Sequence, residues 1–208
     1  MEDMDNYVWE LLVNTLSMSH NYKEQIKKEI LGEKKPQYTK RTYQTKLKKL
    51  NKEKGEVSDR IIDLGSSPGS WSQVVVEYNN NAKITAIDLL EMKFHHKNIE
   101  FIKNDFTKIN FNSFKENFDL ILSDLAPNTT GHQSTDHLKI SAYVLNVISI
   151  IDIIANQNSN FITKIWKGSE EKLILKELES KFKNVSYFKP NSSRKNSSEI
   201  YLIAQNFN

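Results

Sequence analysis

Three observations predict an α/β fold built on a largely parallel sheet. Short apolar runs recur and end on acids, helix-period segments separate them, and Gly-rich or polar turns join the two kinds of segment. Taken in order, residues 1–35 start acidic and continue as a Lys-rich helical pattern, read as an N-terminal helical extension to a domain spanning 36–208. Residues 61–64 form an apolar strand running into a Gly-rich turn and a helix, and residues 82–88, 99–103 and 119–123 give three further strands. Residues 145–155 carry a dense apolar run read as a core helix, with Ser134 as its expected cap. Residues 161–166 form the fifth strand, and a helix follows it. Residues 183–189 and 199–205, joined by a polar loop, read as a hairpin that adds one antiparallel strand to the sheet.

Composition narrows the classes. At 208 residues and 38% hydrophobic content the chain can bury one sizeable core. The absence of cysteine excludes disulfides and thiolate metal sites and fits a reducing compartment. No apolar run reaches the roughly 18 residues of a membrane span, and 145–155 is too short and too polar for one. Four acids and no base in the first twelve residues argue against a mitochondrial transit peptide. His95-His96, His132 and His137 lack ligand partners at metal spacing and are read as surface or loop residues, so no metal is expected.

The most informative segment is Asp63-Leu64-Gly65-Ser66-Ser67-Pro68-Gly69-Ser70-Trp71. Gly65 and Gly69 can take backbone angles other residues reach only at a cost, and the serines leave the main chain open to a ligand. A strand, turn and helix of this kind line the ligand crevice of an open α/β sheet. The turn matches neither G-x-G-x-x-G nor the P-loop. Asp63 at the strand end instead suits a ligand with an ammonium or another donor group, such as S-adenosylmethionine. Asp88, followed by Leu89, lies 19 residues beyond Gly69, where a ribose-binding carboxylate sits in dinucleotide folds. Asp105 can accept from an adenine amino group with Phe106 packed alongside. Strand-terminal acids also serve as plain helix caps, and that reading stays open for Asp105. Asp124 ends the fourth strand, Lys164 interrupts an apolar run and Glu199 opens the last strand. Buried charges of this kind are costly unless they meet, which makes the three either a catalytic group or a structural ion pair.

These motifs, with Ser123-Asp124-Leu125-Ala126-Pro127-Asn128, Lys189-Pro190-Asn191-Ser192-Ser193-Arg194 and Ser198-Glu199-Ile200-Tyr201, resemble the FtsJ/RrmJ ribose 2′-O-methyltransferases over about residues 38–205. The resemblance implies a Rossmann-like S-adenosylmethionine-dependent methyltransferase fold whose mostly parallel seven-stranded sheet holds one antiparallel strand. It implies a catalytic tetrad at Lys46, Asp124, Lys164 and Glu199, with Lys46 placed by the Lys46-Leu47 pair. It implies cofactor contacts from Asp63, Gly65, Ser67, Pro68, Gly69, Ser70, Trp71, Asp88, Leu89, Asp105, Phe106 and Asp124. Similarity to the bacterial heat-shock member implies a uridine in the A-loop of 23S ribosomal RNA, methylated within the large ribosomal subunit by a cytoplasmic enzyme.

Charge distribution agrees with an RNA partner. The formal net charge is only +3, yet residues 34–54 hold nine bases against one acid and residues 181–198 hold five bases and no acid. Basic stretches flanking a cleft suit a phosphate backbone, with Lys40, Arg41 and Arg194 as the candidate contacts. A solvated lysine helix is the competing reading of Lys48, Lys49, Lys52 and Lys54. Methylation of tRNA or an mRNA cap is the alternative enzyme reading, and a catalytically silent RNA-binding assembly factor the alternative of another class. A monomer without membrane attachment is expected.

Overall fold

A computed structural model of the chain describes residues 59–126, 132–189 and 198–208. The proposed extension 1–35, Lys40, Arg41, Lys46 and Arg194 all lie outside them. The elements run β1 (Arg60–Leu64), α1 (Ser70–Tyr78), β2 (Lys83–Asp88), β3 (Ile99–Lys103), β4 (Phe118–Ser123), α2 (Gln133–Ile154), β5 (Ala155–Trp166), α3 (Glu171–Lys181), β6 (Phe182–Phe188) and β7 (Glu199–Phe207). Two short 3-10 turns, Phe106–Lys108 and Phe111–Ser113, bridge β3 to β4.

The seven strands form one sheet in the order β3-β2-β1-β4-β5-β7-β6. β1 pairs in parallel with both β2 and β4, β2 with β3, and β4 with β5. β7 runs antiparallel to both β5 and β6, and is the single reversed strand the hairpin pattern predicts. Strand order reverses between β1 and β4, and a ligand crevice opens beyond the carboxyl ends of strands at such a point.

Alternation along the strands sorts the core into two faces. Ile61, Leu120, Leu122 and Ile162 pack with Trp71, Val74 and Val75 of α1. Ile62, Leu64, Ile121 and Phe161 pack with α2 and α3 through Ile140, Val144, Val147, Ile151, Ile174 and Leu178. Phe118 and Phe161 are at most 1% exposed, and burying each stabilises the fold by about 1.5–3 kcal/mol.

Two elements differ from the sequence expectation. α2 starts at Gln133 behind His132, with no side-chain cap, so Ser134 falls in its first turn. The helix is also longer than its apolar run: Thr135–Ile154 has mean hydropathy 1.5 and is long and apolar enough to cross a membrane by length and composition. Here its Ile140, Val144, Val147, Ile148 and Ile151 cover the sheet instead. β5 begins at Ala155, earlier than the apolar run, and its register shifts after the Phe118–Ala155 pair. Asn158, at φ 62°, takes up the irregularity, a backbone region Asn tolerates better than most residues.

Candidate active site

The turn after β1 is anchored from three sides. The Gly65 and Ser66 N–H groups both donate to the Ile87 carbonyl at the end of β2, at 2.9 and 3.3 Å. Asp88 accepts from the Ser67 N–H at 2.9 Å on one oxygen and from the Leu90 N–H at 2.8 Å on the other. The Pro68 carbonyl accepts from the N–H groups of Lys93 and Phe94. Gly65 has φ +80°, and a Cβ there would lie 2.9 Å from the Leu125 nitrogen. The turn therefore closes directly onto the chain leaving β4. Gly69, at φ +116°, caps α1, and a Cβ there would meet Phe94 Cβ at 2.7 Å.

Beyond these strand ends lies a cavity of about 370 Å³, within the roughly 300–1,000 Å³ range of small-molecule sites. Gly65, Ser67, Asp88, Leu89, Asp105, Phe106, Asp124 and Lys164 line it. These are seven of the cofactor residues named from sequence and one of the two lysines expected there to be catalytic, with Asp124 in both expected sets. Asp63, Pro68, Gly69, Ser70 and Trp71 do not line it. Trp71 is 6% exposed and packs in the core, its ring 6.0 Å from that of Tyr201.

Asp63 lies fully buried beneath the turn. One oxygen accepts from the Ser72 hydroxyl at 2.6 Å, and the other has no hydrogen-bond partner. Burial pushes its carboxyl up to about 7, against the Ser72 bond and with help from the nearby Asp124 and Asp88 charges. Asp105 caps the first 3-10 turn: one of its oxygens accepts from the Thr107 N–H at 3.0 Å and the Thr107 hydroxyl at 2.7 Å. Those bonds hold the carboxyl below its usual range. The helix-cap reading of Asp105 is thus realised, and the residue lines the cavity as well.

Asp124 and Lys164 meet across the wall between β4 and β5, Nζ to Oδ1 at 2.5 Å. Burial raises the Asp124 carboxyl above its ordinary value; the Lys164 ammonium opposes that shift, while Glu199 and Asp88 add to it. Lys164, Glu199 and Asp88 are therefore all within electrostatic reach of Asp124. β7 brings Glu199 there by its reversed direction, which sets Tyr201 opposite Lys164 and Glu199 opposite Trp166.

Asn104, Leu125, Ala126 and, on α2, Tyr143 also line the cavity, and the sequence reading did not single them out for it. α2 is apolar over most of its circumference, so no amphipathic stripe marks which side of it faces a ligand. His137, read from sequence as a surface or loop residue, is 6% exposed and lies against Gly168. Its ring accepts weakly from the Glu170 N–H at 3.4 Å.

The FtsJ-like methyltransferase family matches residues 44–207. The chain belongs to that family. Among its relatives is the ribosomal RNA large subunit methyltransferase E of Rickettsia conorii, 36% identical over 158 residues that cover 71% of this chain and 69% of the relative. The protein of the same name from Ehrlichia chaffeensis is 38% identical over 154 residues, covering 71% and 72%. A Plasmodium falciparum crystal structure assigned as a ribosomal RNA methyltransferase superposes with TM-score 0.63 at 29% identity, over 82% of this chain and 98% of that one. Human methyltransferase-like protein 13, at TM-score 0.57 and 13% identity over 78% of this chain and 77% of that one, shares the fold. Asp124, Lys164 and Glu199, three of the four residues that the sequence resemblance named as a catalytic tetrad, come together in this fold.

Proposed function

We propose that this FtsJ-like protein transfers a methyl group from S-adenosylmethionine to the 2′-oxygen of a ribose in large-subunit ribosomal RNA, at a uridine of the A-loop. The observation that carries the reading is the Asp124–Lys164 pair in the wall of a cofactor-sized cavity at the switch point of the sheet. Family membership and the names of the relatives support ribosomal RNA as substrate. The A-loop uridine rests on resemblance to the bacterial heat-shock member. A ribosomal RNA substrate is consistent with a cytoplasmic enzyme.

The cavity fits the cofactor by its donor set. Asp88, Asp105 and Asp124 face a ligand that carries ribose hydroxyls, an adenine amino group, an ammonium and a sulfonium, with Lys164 the counter-charge among them. Gly65, with no room for a Cβ, keeps the turn closed against Leu125. When bound, S-adenosylmethionine supplies an electrophilic methyl group. Asp88 retains lone pairs toward ribose hydroxyls. Lys164 releases its own proton to solvent and then accepts that of the attacking 2′-hydroxyl, while Asp124 holds its Nζ in place. Positioning of the hydroxyl in line with the methyl contributes the larger share of the rate. Glu199 adds its charge to the Asp124–Lys164 pair, and Lys46 is the fourth proposed member of the set by the sequence match alone.

Purified protein and labelled S-adenosylmethionine, incubated with large subunits from a strain lacking its own ribose methyltransferase, should label a 2′-oxygen in the A-loop. Cofactor binding without label in that RNA would redirect the substrate to tRNA or capped RNA, and no cofactor binding would favour the silent assembly factor.

A further inference from the structure

The cavity wall contributed by α2 has a role that the family motifs leave unassigned. Tyr143, on α2 just ahead of the 145–155 apolar run, lines the cavity, and its ring meets Phe106 edge-on, centroids 5.7 Å apart at 87°. Phe106 lies between two open volumes. It lines the cofactor cavity, and it also lines a second cavity of about 240 Å³ bounded by Thr107, Ile109, Phe111, Asn146, Ser149 and Ile150. Phe106 is only 6% exposed, so in the wall between the two cavities its plane is set by what touches its edge and faces, and such aromatic pairs contribute beyond their buried area. Beside the pair, Asp105 spends one oxygen on Thr107 and has no hydrogen bond on the other among the described residues. An acceptor next to two aromatic rings recognises a flat heteroaromatic amine.

We propose that Tyr143 is a positioning residue for the purine end of the cofactor. It fixes the Phe106 ring and closes the cavity behind the base. The role belongs to the ring, since the Tyr143 hydroxyl makes no hydrogen bond among the described residues. This assignment rests on the cavity being the S-adenosylmethionine site.

The test is equilibrium binding of S-adenosylhomocysteine and of 5′-methylthioadenosine, which carries the nucleoside without the amino acid, to the wild-type chain and to Tyr143→Ala and Tyr143→Phe. Tyr143→Ala should weaken both ligands by about the same factor, roughly tenfold. Tyr143→Phe should stay within about twofold for both, and in turnover the alanine variant should raise KM for the methyl donor and leave KM for RNA unchanged. A folded alanine variant with wild-type affinity, or one that loses S-adenosylhomocysteine but not methylthioadenosine, overturns the proposal. Should the alanine variant not fold, Tyr143→Leu replaces it under the same criteria. A wild-type chain that binds neither ligand would refute the cofactor reading itself, and a wild-type chain that binds both with no effect of Tyr143 refutes only this assignment.

Discussion

Asp124 is half-buried within reach of the Glu199 and Asp88 charges, and the Lys164 ammonium is what offsets that repulsion. Replacing Lys164 with Ala removes the proposed proton acceptor and the positive charge that opposes the upward shift of the Asp124 carboxyl. Turnover should fall by roughly 10³-fold, within the range for loss of a general base. Affinity for S-adenosylhomocysteine should change only a few-fold. Single-turnover assays that recover more than a tenth of wild-type activity would reject Lys164 as the base. Asp63 makes a different prediction, about stability. Its folded pKa is about 7 against 3.8 in the reference state. Between those values the folded chain holds a proton the unfolded chain has released, so the group's contribution becomes less favourable as pH rises through that window and levels off above about 7. Asp63→Asn abolishes that slope and keeps an acceptor for Ser72. Its unfolding free energy should exceed the wild type's by an amount that grows from pH 4 to pH 7, to on the order of 4 kcal/mol at most. Urea melts at three pH values measure the difference, and a pH-independent gap would contradict it.

The elements place these residues because strand ends in a parallel sheet converge at one edge. β1, β2 and β4 were legible as near-continuous apolar runs, as strands buried on both faces are, and so Asp63, Asp88 and Asp124 could be found at their ends. The start of β5 was not legible: Asn156-Gln157-Asn158-Ser159-Asn160 has no strand pattern, and it joins the ladder only through the register shift beside Phe118. Which way a side chain leaves its element was not legible either. Trp71 turned to the core, Asp63 under the turn and Tyr143 to the cavity, because direction is decided by neighbours far along the chain. His137 and Gly168 show the same dependence. The imidazole of α2 packs where a Cβ on Gly168 would stand, just after β5 and before α3. Gly168→Ala should destabilise the fold by about 1–3 kcal/mol through overpacking. In the double variant with His137→Ala the costs should sum to less than their separate values, by at least about 0.5 kcal/mol. Strict additivity in thermal or urea unfolding would mean that the ring and the added methyl do not compete for one space.

Across the whole molecule the charges divide by task. The cavity carries three carboxylates against Lys164, which favours a cationic cofactor and repels a phosphate backbone. The attraction for RNA then has to come from elsewhere on the chain, and the two base-rich segments at 34–54 and 181–198 are the candidates. With a net charge of only +3, binding should depend on those segments rather than on the overall charge. Each phosphate contact to single-stranded RNA lowers the slope of log K against log salt by about 0.7. Substituting Lys40, Arg41 and Arg194 with Ala should therefore flatten the measured slope by about 2 if all three meet phosphates. Affinity for S-adenosylhomocysteine in the same variant serves as the check on folding. A slope equal to the wild type's would move the RNA path away from these residues and return the basic segments to the status of a solvated surface.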